Sequence, residues 1–241
     1  MPVVHVREPR DGANCGFAAL LTLADGQSVF VKGQPDGGPL DEFDREEQVS
    51  RALPRCAPRV LWRLYAGGWH VMAFEGIDGE RAAYEPDSVE LGLVVKALTE
   101  VGLCVAPRVR LMTVWDRWGY YCDPADRAHL SGLHLLHTDP APQNLLIDDA
   151  GAHLVDWAWP ALGPGWVDAA LWGVRLMSDG GHRPEQAHRW VSQVPAWSSA
   201  APEALRVFTR AEAASWSDAA KGAPDVANIA QAAREWANYW T

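Results

Sequence analysis

The most constraining stretch of the chain is His137-Thr-Asp139-Pro-Ala-Pro-Gln-Asn144, followed by an apolar run, a turn around Asp149, Ala150 and Gly151, a second apolar run and then Asp156. A lone His-x-Asp carries little information, and Asp and Asn often sit in loops for local hydrogen bonding alone. The ordered set is far more restrictive. NLLID and AHLVDW have the pattern of two strands of a hairpin. In such a hairpin a loop Asp, an Asn five residues later and an Asp at the far end can converge on one place. Such a set suits phosphoryl transfer, whose loose, highly charged transition state asks mainly for a positioned hydroxyl and for metal ions held on the phosphates. Asp139 can orient a hydroxyl and take its proton, while Asn144 and Asp156 offer the hard oxygens that Mg²⁺ prefers. His137 is assigned to packing and hydrogen bonding of the loop.

Upstream, VVHV, FAALLTL, SVFVKG, RVLWRLY and WHVMAF are short β-rich runs separated by turn signals, among them DG at 25–26 and GG at 67–68. They fit a small, mostly antiparallel sheet. LDEFDREEQVSRAL places Leu40, Phe43, Val49 and Leu53 along one side of a helix that Pro54 would end. EGIDGE then fits a hinge. Helices are expected over 86–104 and 107–118, with a short one near 124–133, one strand pair in the middle of the chain, and further helices from Trp166 onward. The shift from strands to helices predicts an α+β fold in two lobes, 1–76 and 77–241.

At 241 residues and 48% hydrophobic, the chain can bury a full core without disulfides or a structural metal. Cysteines at 15, 56, 104 and 122 are scattered, with no zinc-type spacing, as expected of buried thiols in a cytosolic protein. MPVVHVREPRDG has no apolar stretch of signal-peptide length, and no run approaches the roughly 18 apolar residues of a membrane span. The expected location is the cytoplasm, with no membrane partner. A formal net charge of -10 argues against a nucleic-acid partner, because such binding rests on basic surface. Excess acid is compatible with a cationic ligand, but it also serves solubility.

The segment from His137 to Asp156 resembles the catalytic loop and metal-binding segment of aminoglycoside phosphotransferases, small-molecule kinases of the protein-kinase-like fold. The resemblance implies a bilobal fold, with an antiparallel-sheet N-lobe that binds ATP or GTP and a mainly helical C-lobe that binds the acceptor. It also implies a lysine on the third strand that contacts the nucleotide phosphates and is held by a glutamate of the following helix. Lys32 ends the third expected strand. Glu46 is preferred over Glu47 as its partner, lying three residues before Val49 and seven before Leu53, near the inward helix face. Asp11-Gly-Ala-Asn14-Cys-Gly16-Phe17 stands where the fold places its phosphate-covering loop, with Asn14 and Gly16 as nucleotide contacts, although GxGxxG is absent and any hairpin turn uses such residues. Met72-Ala-Phe74-Glu75-Gly76 matches the hinge, where main-chain groups at Phe74 and Gly76 would hold the base. Asp168 would cap a helix start and brace the catalytic loop from behind.

The chain departs from that pattern at Thr138, where the family commonly has Gly, and at Ala141, where it commonly has a second His. It is also short for the family, which implies a reduced acceptor subdomain. The implied activity is Mg²⁺-dependent transfer of a γ-phosphate to a hydroxyl of a small molecule. An aminoglycoside or other antibiotic is the first acceptor to test, because Asp179, Glu185, Glu212 and Asp218 of the C-terminal helices are available in sequence to receive amino groups. Kinases of choline, homoserine or sugars and a nucleotide-binding module without transfer remain alternatives. Thirteen tryptophans are divided between core packing and the lining of an acceptor pocket.

Overall fold

A computed structural model describes residues 1–8 and 15–241. Five strands, β1 (Val3–Arg7), β2 (Phe17–Leu23), β3 (Ser28–Pro35), β4 (Val60–Ala66) and β5 (Trp69–Glu75), form one sheet in the order β1-β2-β3-β5-β4, with every neighbouring pair antiparallel. Alternation along β3 sorts its side chains between two faces. Val29 and Val31 pack with Ala19 and Ala73 on one face, whereas Phe30 packs with Phe43, Met72 and Phe74 on the other. Lys32, two residues from Phe30, shares that second face. Gly67 and Gly68, with φ of 59° and 79°, turn β4 into β5.

Helix α1 (Asp41–Ser50) lies on the Lys32 side of the sheet and buries Phe43, Glu46, Val49 and Ser50. It stops before the expected end at Pro54. Its last residue is already committed to β4, since Ser50 Oγ accepts from Val60 N at 2.9 Å and Ser50 O from Arg59 Nη1 at 2.9 Å.

The rest of the chain is mainly helical, with short strands set into it. β6 (Glu80–Arg81) is followed by α2 (Leu91–Gly102), which starts later than expected. Glu90, just before it, turns its carboxylate onto Ala83 N at 2.6 Å. The helix expected over 107–118 is confined to α3 (Val114–Trp118), preceded by β7 (Met112–Thr113). Thr113 is extended and forms a reciprocal cap with Asp116, which fixes the helix start at residue 114. The stretch near 124–133 is a 3₁₀ turn, Pro124–Leu130. β8 (His134–Leu136), β9 (Leu145–Asp148), β10 (Gly151–Leu154) and β11 (Ala161–Gly163) complete two small sheets, β10-β9-β6 and β7-β11-β8. β9 and β10 are the expected hairpin. The other short strands escape detection in sequence because two or three residues are too few to show alternation.

Helices α4 (Val167–Ser178), α5 (Pro184–Val191), α6 (Pro202–Gly222) and α7 (Ala227–Tyr239) follow. The main core lies among α2, α4, α6, α7 and the β9–β10 hairpin, with Leu98, Leu154, Trp172, Phe208 and Trp236 at its centre. Gly173 lets α4 and α7 meet, because a Cβ there would lie 2.7 Å from the Trp236 ring. Among the described residues no helix is long and apolar enough to cross a membrane. Trp172 has no exposed surface. Trp172→Ala is expected to cost about 3–5 kcal/mol, measured as a lower urea midpoint at unchanged m-value.

Candidate active site

Three charged groups from separate parts of the chain meet beneath the sheet. Lys32 Nζ donates to Glu46 Oε1 at 3.0 Å and to Asp156 Oδ1 at 2.6 Å. Burial works against the Lys32 ammonium, but the Glu46 and Asp156 carboxylates outweigh it and hold its pKa above the ordinary lysine value. Asp156 is likewise pushed up by burial and pulled down more strongly by Lys32, so it stays below the usual carboxylate range. Glu47 turns the other way, onto Arg63 at 2.9 Å.

The loop bearing Asp139 is clamped from below by α4. Asp168, 2% exposed, accepts from His137 N at 2.9 Å and from Thr138 N at 2.7 Å. It does not cap the helix. Trp166 occupies the N-cap position, without a side-chain cap, and Asp168 lies in the first turn. Thr138 has φ of 73°, a left-handed conformation that costs a β-branched residue about 1–2 kcal/mol. It is held there by the Asp168 bond, by its own hydroxyl on Trp159 O at 2.8 Å, and by Arg117, which donates to Thr138 Oγ1. His137 Nδ1 accepts from Asp139 N at 3.2 Å, and its Nε2 donates to Val155 O at 2.8 Å. These contacts fix the tautomer with the proton on Nε2 and tie the loop to the segment that carries Asp156.

Asp139 is held on both oxygens. Asn144 Nδ2 donates to Oδ2 at 3.0 Å and to the Asp139 carbonyl at 3.0 Å, while Arg175 Nη2 donates to Oδ1 at 2.7 Å. Because the Asn144 amide nitrogen is engaged with Asp139, its oxygen is left as an acceptor. Lys32 occupies Oδ1 of Asp156 and leaves Oδ2. One carboxylate oxygen and one amide oxygen form a hard donor set that fits Mg²⁺, which keeps most of its shell as water and substrate phosphate.

A cavity of about 870 Å³ is lined by Lys32, Glu46, Phe74, Asp139, Asn144 and Asp156, within the size range of ligand clefts. Leu20, Phe30, Ile77 and Leu146 supply an apolar wall. The structure thus brings Lys32, Glu46, Phe74, Asp139, Asn144 and Asp156 together. Gly16 and Gly76 are not on the lining. The Gly16 amide donates to Gln34 Oε1 at 3.0 Å, and the Gly76 amide donates to Ser28 O at 3.0 Å, so neither N–H is free for a nucleotide. Asn14 lies outside the described residues.

On the other side of Asp139 a cavity of only about 20 Å³ is bounded by Arg175, Leu171, Val174, Trp216 and Ile229, room for about one water. Glu212 borders it but is fully engaged, with Trp216 Nε1 donating to Oε1 at 2.6 Å and Trp118 Nε1 to Oε2. Burial pushes its pKa up against those two bonds. Asp218 pairs with Lys221 at 2.6 Å, and Asp179 accepts from Ser178 Oγ at 2.8 Å. Of the four acids nominated for amino groups, only Glu185 has no side-chain bond of its own among the described residues.

Sequence reasoning missed Arg175, Arg117 and Tyr84, whose hydroxyl donates to Pro140 O at 2.8 Å. A signal for Arg175 exists. It stands seven residues after Asp168 on an otherwise apolar helix, hence on the same face two turns on.

No family model matches the chain, and no curated protein matches it. Solved structures do. A thermostable mutant of aminoglycoside phosphotransferase APH(4)-Ia, in a ternary complex with AMP-PNP and hygromycin B, matches at a TM-score of 0.64 and 14% identity, covering 99% of this chain and 94% of that one. Macrolide 2'-phosphotransferase MphH from Brachybacterium faecium matches at 0.55 and 14%, covering 96% and 91%. An aminoglycoside phosphotransferase from Alicyclobacillus acidocaldarius matches at 0.57 and 13%, covering 97% and 91%. At these identities the likeness is one of fold, and it holds over the full length of the chain.

Asp168→Asn leaves one of the two loop amides facing an NH₂ group and is expected to destabilise the protein by about 1–3 kcal/mol, measured by urea unfolding. Glu212 makes a second, pH-dependent expectation. In the unfolded chain it titrates near about 4.3. In the folded protein it titrates higher, so the folded state binds the proton more tightly and wild-type stability falls as pH rises through that window. Glu212→Gln mimics the protonated form. Its stability relative to wild type should therefore rise from acid to neutral pH, and a difference that is flat or falls with pH contradicts the assignment.

Proposed function

We propose that this chain is a Mg²⁺-dependent small-molecule O-phosphotransferase that moves the γ-phosphate of ATP or GTP to an acceptor hydroxyl. The observation that carries the proposal is the convergence of Lys32, Glu46 and Asp156 with Asp139 and Asn144 on one cleft of nucleotide size. The fold shared with structures that hold AMP-PNP or ADP supports the nucleotide part. Residues 1–76 form the nucleotide-binding lobe and residues 77–241 carry the catalytic loop and acceptor site. Four free thiols suit the cytosol.

Asp139 orients the acceptor hydroxyl and receives its proton as the acceptor oxygen bonds to the γ-phosphorus and the bond from phosphorus to the β-γ bridging oxygen breaks. Lys32, steadied by Glu46, sits against the nucleotide phosphates. Asn144 and Asp156 would hold Mg²⁺, which would supply positive charge against those phosphates. His137 and Asp168 keep the loop in register. A binding-only role is the second reading, and one observation favours it: both Asp139 oxygens are engaged within the protein.

A transfer screen with ATP and GTP against aminoglycosides, other hydroxylated antibiotics and small metabolites tests the proposal. Asp139→Ala is expected to lower kcat by about 10²–10⁴-fold. Asp156→Ala should abolish the Mg²⁺-dependent nucleotide thermal shift, and Lys32→Ala should lower kcat/KM more than about tenfold. Transfer that survives Asp139→Ala undiminished removes the catalytic assignment. Nucleotide binding without transfer to any acceptor favours the binding-only role.

A further inference from the structure

Arg175 is the charged group beside Asp139 at the small cavity. Its guanidinium, with the side chain only 17% exposed, bonds Asp139 Oδ1 at 2.7 Å, the oxygen on the side of the small cavity. It also lies 5.7 Å from the Trp216 ring. Together Arg175 and Trp216 leave about 20 Å³ where a substrate would approach. Asp139 keeps 43% of its side chain exposed and lines the large cavity as well, but an acceptor group entering through the small cavity would part the two charges.

Separation leaves a largely buried guanidinium short of an anion, which is costly unless a new partner arrives. The protein offers a poor substitute. Asp179, one turn further along α4, is 3.7 Å from Arg175 Nη1 and already accepts from Ser178. Glu212, the other acid at the cavity, is spent on two indoles. The other described lining residues are apolar or aromatic apart from Thr138, whose hydroxyl is bonded to Trp159 O at 2.8 Å. This lining has no unengaged carboxylate for an ammonium group, and it has one guanidinium that acceptor binding would set free.

We propose that the acceptor carries an anionic oxygen group, a carboxylate or a phosphate monoester, close to the hydroxyl that is phosphorylated, and that this group takes Arg175 from Asp139. Arg175 is then both a latch on the empty site and the residue that selects the acceptor class. The selection follows from the planar fork, which binds carboxylate and phosphate in two-point fashion, and its departure gives Asp139 Oδ1 back as an acceptor for the hydroxyl. A polycationic acceptor is disfavoured by the same arrangement. The proposal rests on the phosphotransfer function above and narrows its substrate.

The test uses matched probes: glucose, gluconate and glucose 6-phosphate; glycerol, glycerate and glycerol 3-phosphate; and hygromycin B as the polyamine. Each is added to the protein with Mg²⁺ and AMP-PNP for thermal shift, and with Mg·ATP for transfer. In wild type, an anionic member of a set is expected to shift the melting temperature and to exceed its neutral relative by at least about tenfold in kcat/KM. The carboxylate and phosphate arms tell which anion is preferred. Arg175→Gln should erase the difference between anionic and neutral members, and Arg175→Lys should keep part of it, which also serves if the Gln variant does not fold. Preference for hygromycin B overturns the proposal. So does an anionic-to-neutral ratio unchanged in the folded Arg175 variants, or no response to any anionic probe while AMP-PNP still shifts the melting temperature. Absence of any Mg²⁺-dependent AMP-PNP shift in wild type instead overturns the phosphotransfer function itself.

Discussion

Asp168 holds two consecutive backbone amides inside the protein, and the geometry of the site follows from that bond pair. With the Thr138 hydroxyl on Trp159 O and Arg117 on that hydroxyl, it keeps Thr138 in a left-handed conformation just before Asp139. Burial pushes the Asp168 carboxyl up, and the buried group is tolerated because it is paired, with two amide donors at short range and the Arg117 guanidinium nearby. The helix that carries it adds a second hold two turns on, through Arg175. The face of α4 therefore acts as a rigid mould for the loop, set by an apolar helix whose other sides are locked into the core.

Much of this was legible from residue order. Lys32, Glu46, Asp139, Asn144 and Asp156 could be singled out because each stands at a fixed place in a strand, helix or hairpin whose pattern is visible locally. The five-stranded sheet was visible for the same reason. The roles of Gly16 and Gly76 were not. Small residues admit close approach of a ligand, but they admit close approach of the protein's own chain equally well, and here Gln34 and Ser28 take those amides. The bonds of Arg175 to Asp139 and of Glu212 to Trp118 span 36 and 94 residues, so residue order could place Arg175 on the Asp168 face of its helix and Glu212 beside Trp216 but could not give those distant partners.

Glu212 also separates acid content from acid availability. The chain is strongly acidic, which on composition alone invites a cationic ligand. At the cavity beside Asp139, Glu212 is turned inward as an acceptor for two indole N–H groups, and Asp139 itself is paired with Arg175. The tryptophans explain part of their own abundance in this way. Trp118 and Trp216 are both core and polar scaffolding, each placing a ring in the packed interior and an N–H on the same carboxylate.

Adjacent residues of α1 reach two different parts of the site. Glu46 meets Lys32, while Arg45 donates to Ala158 O at 2.7 Å and stacks over Trp159 at 4.5 Å. The Trp159 carbonyl is in turn the acceptor for Thr138 and Arg117. A single short helix is thus geared to the strand lysine at one residue and to the loop bearing Asp139 at the next. A tilt of α1 away from the helical part would loosen both contacts together, so the strand lysine and the Asp139 loop are coupled through one short element.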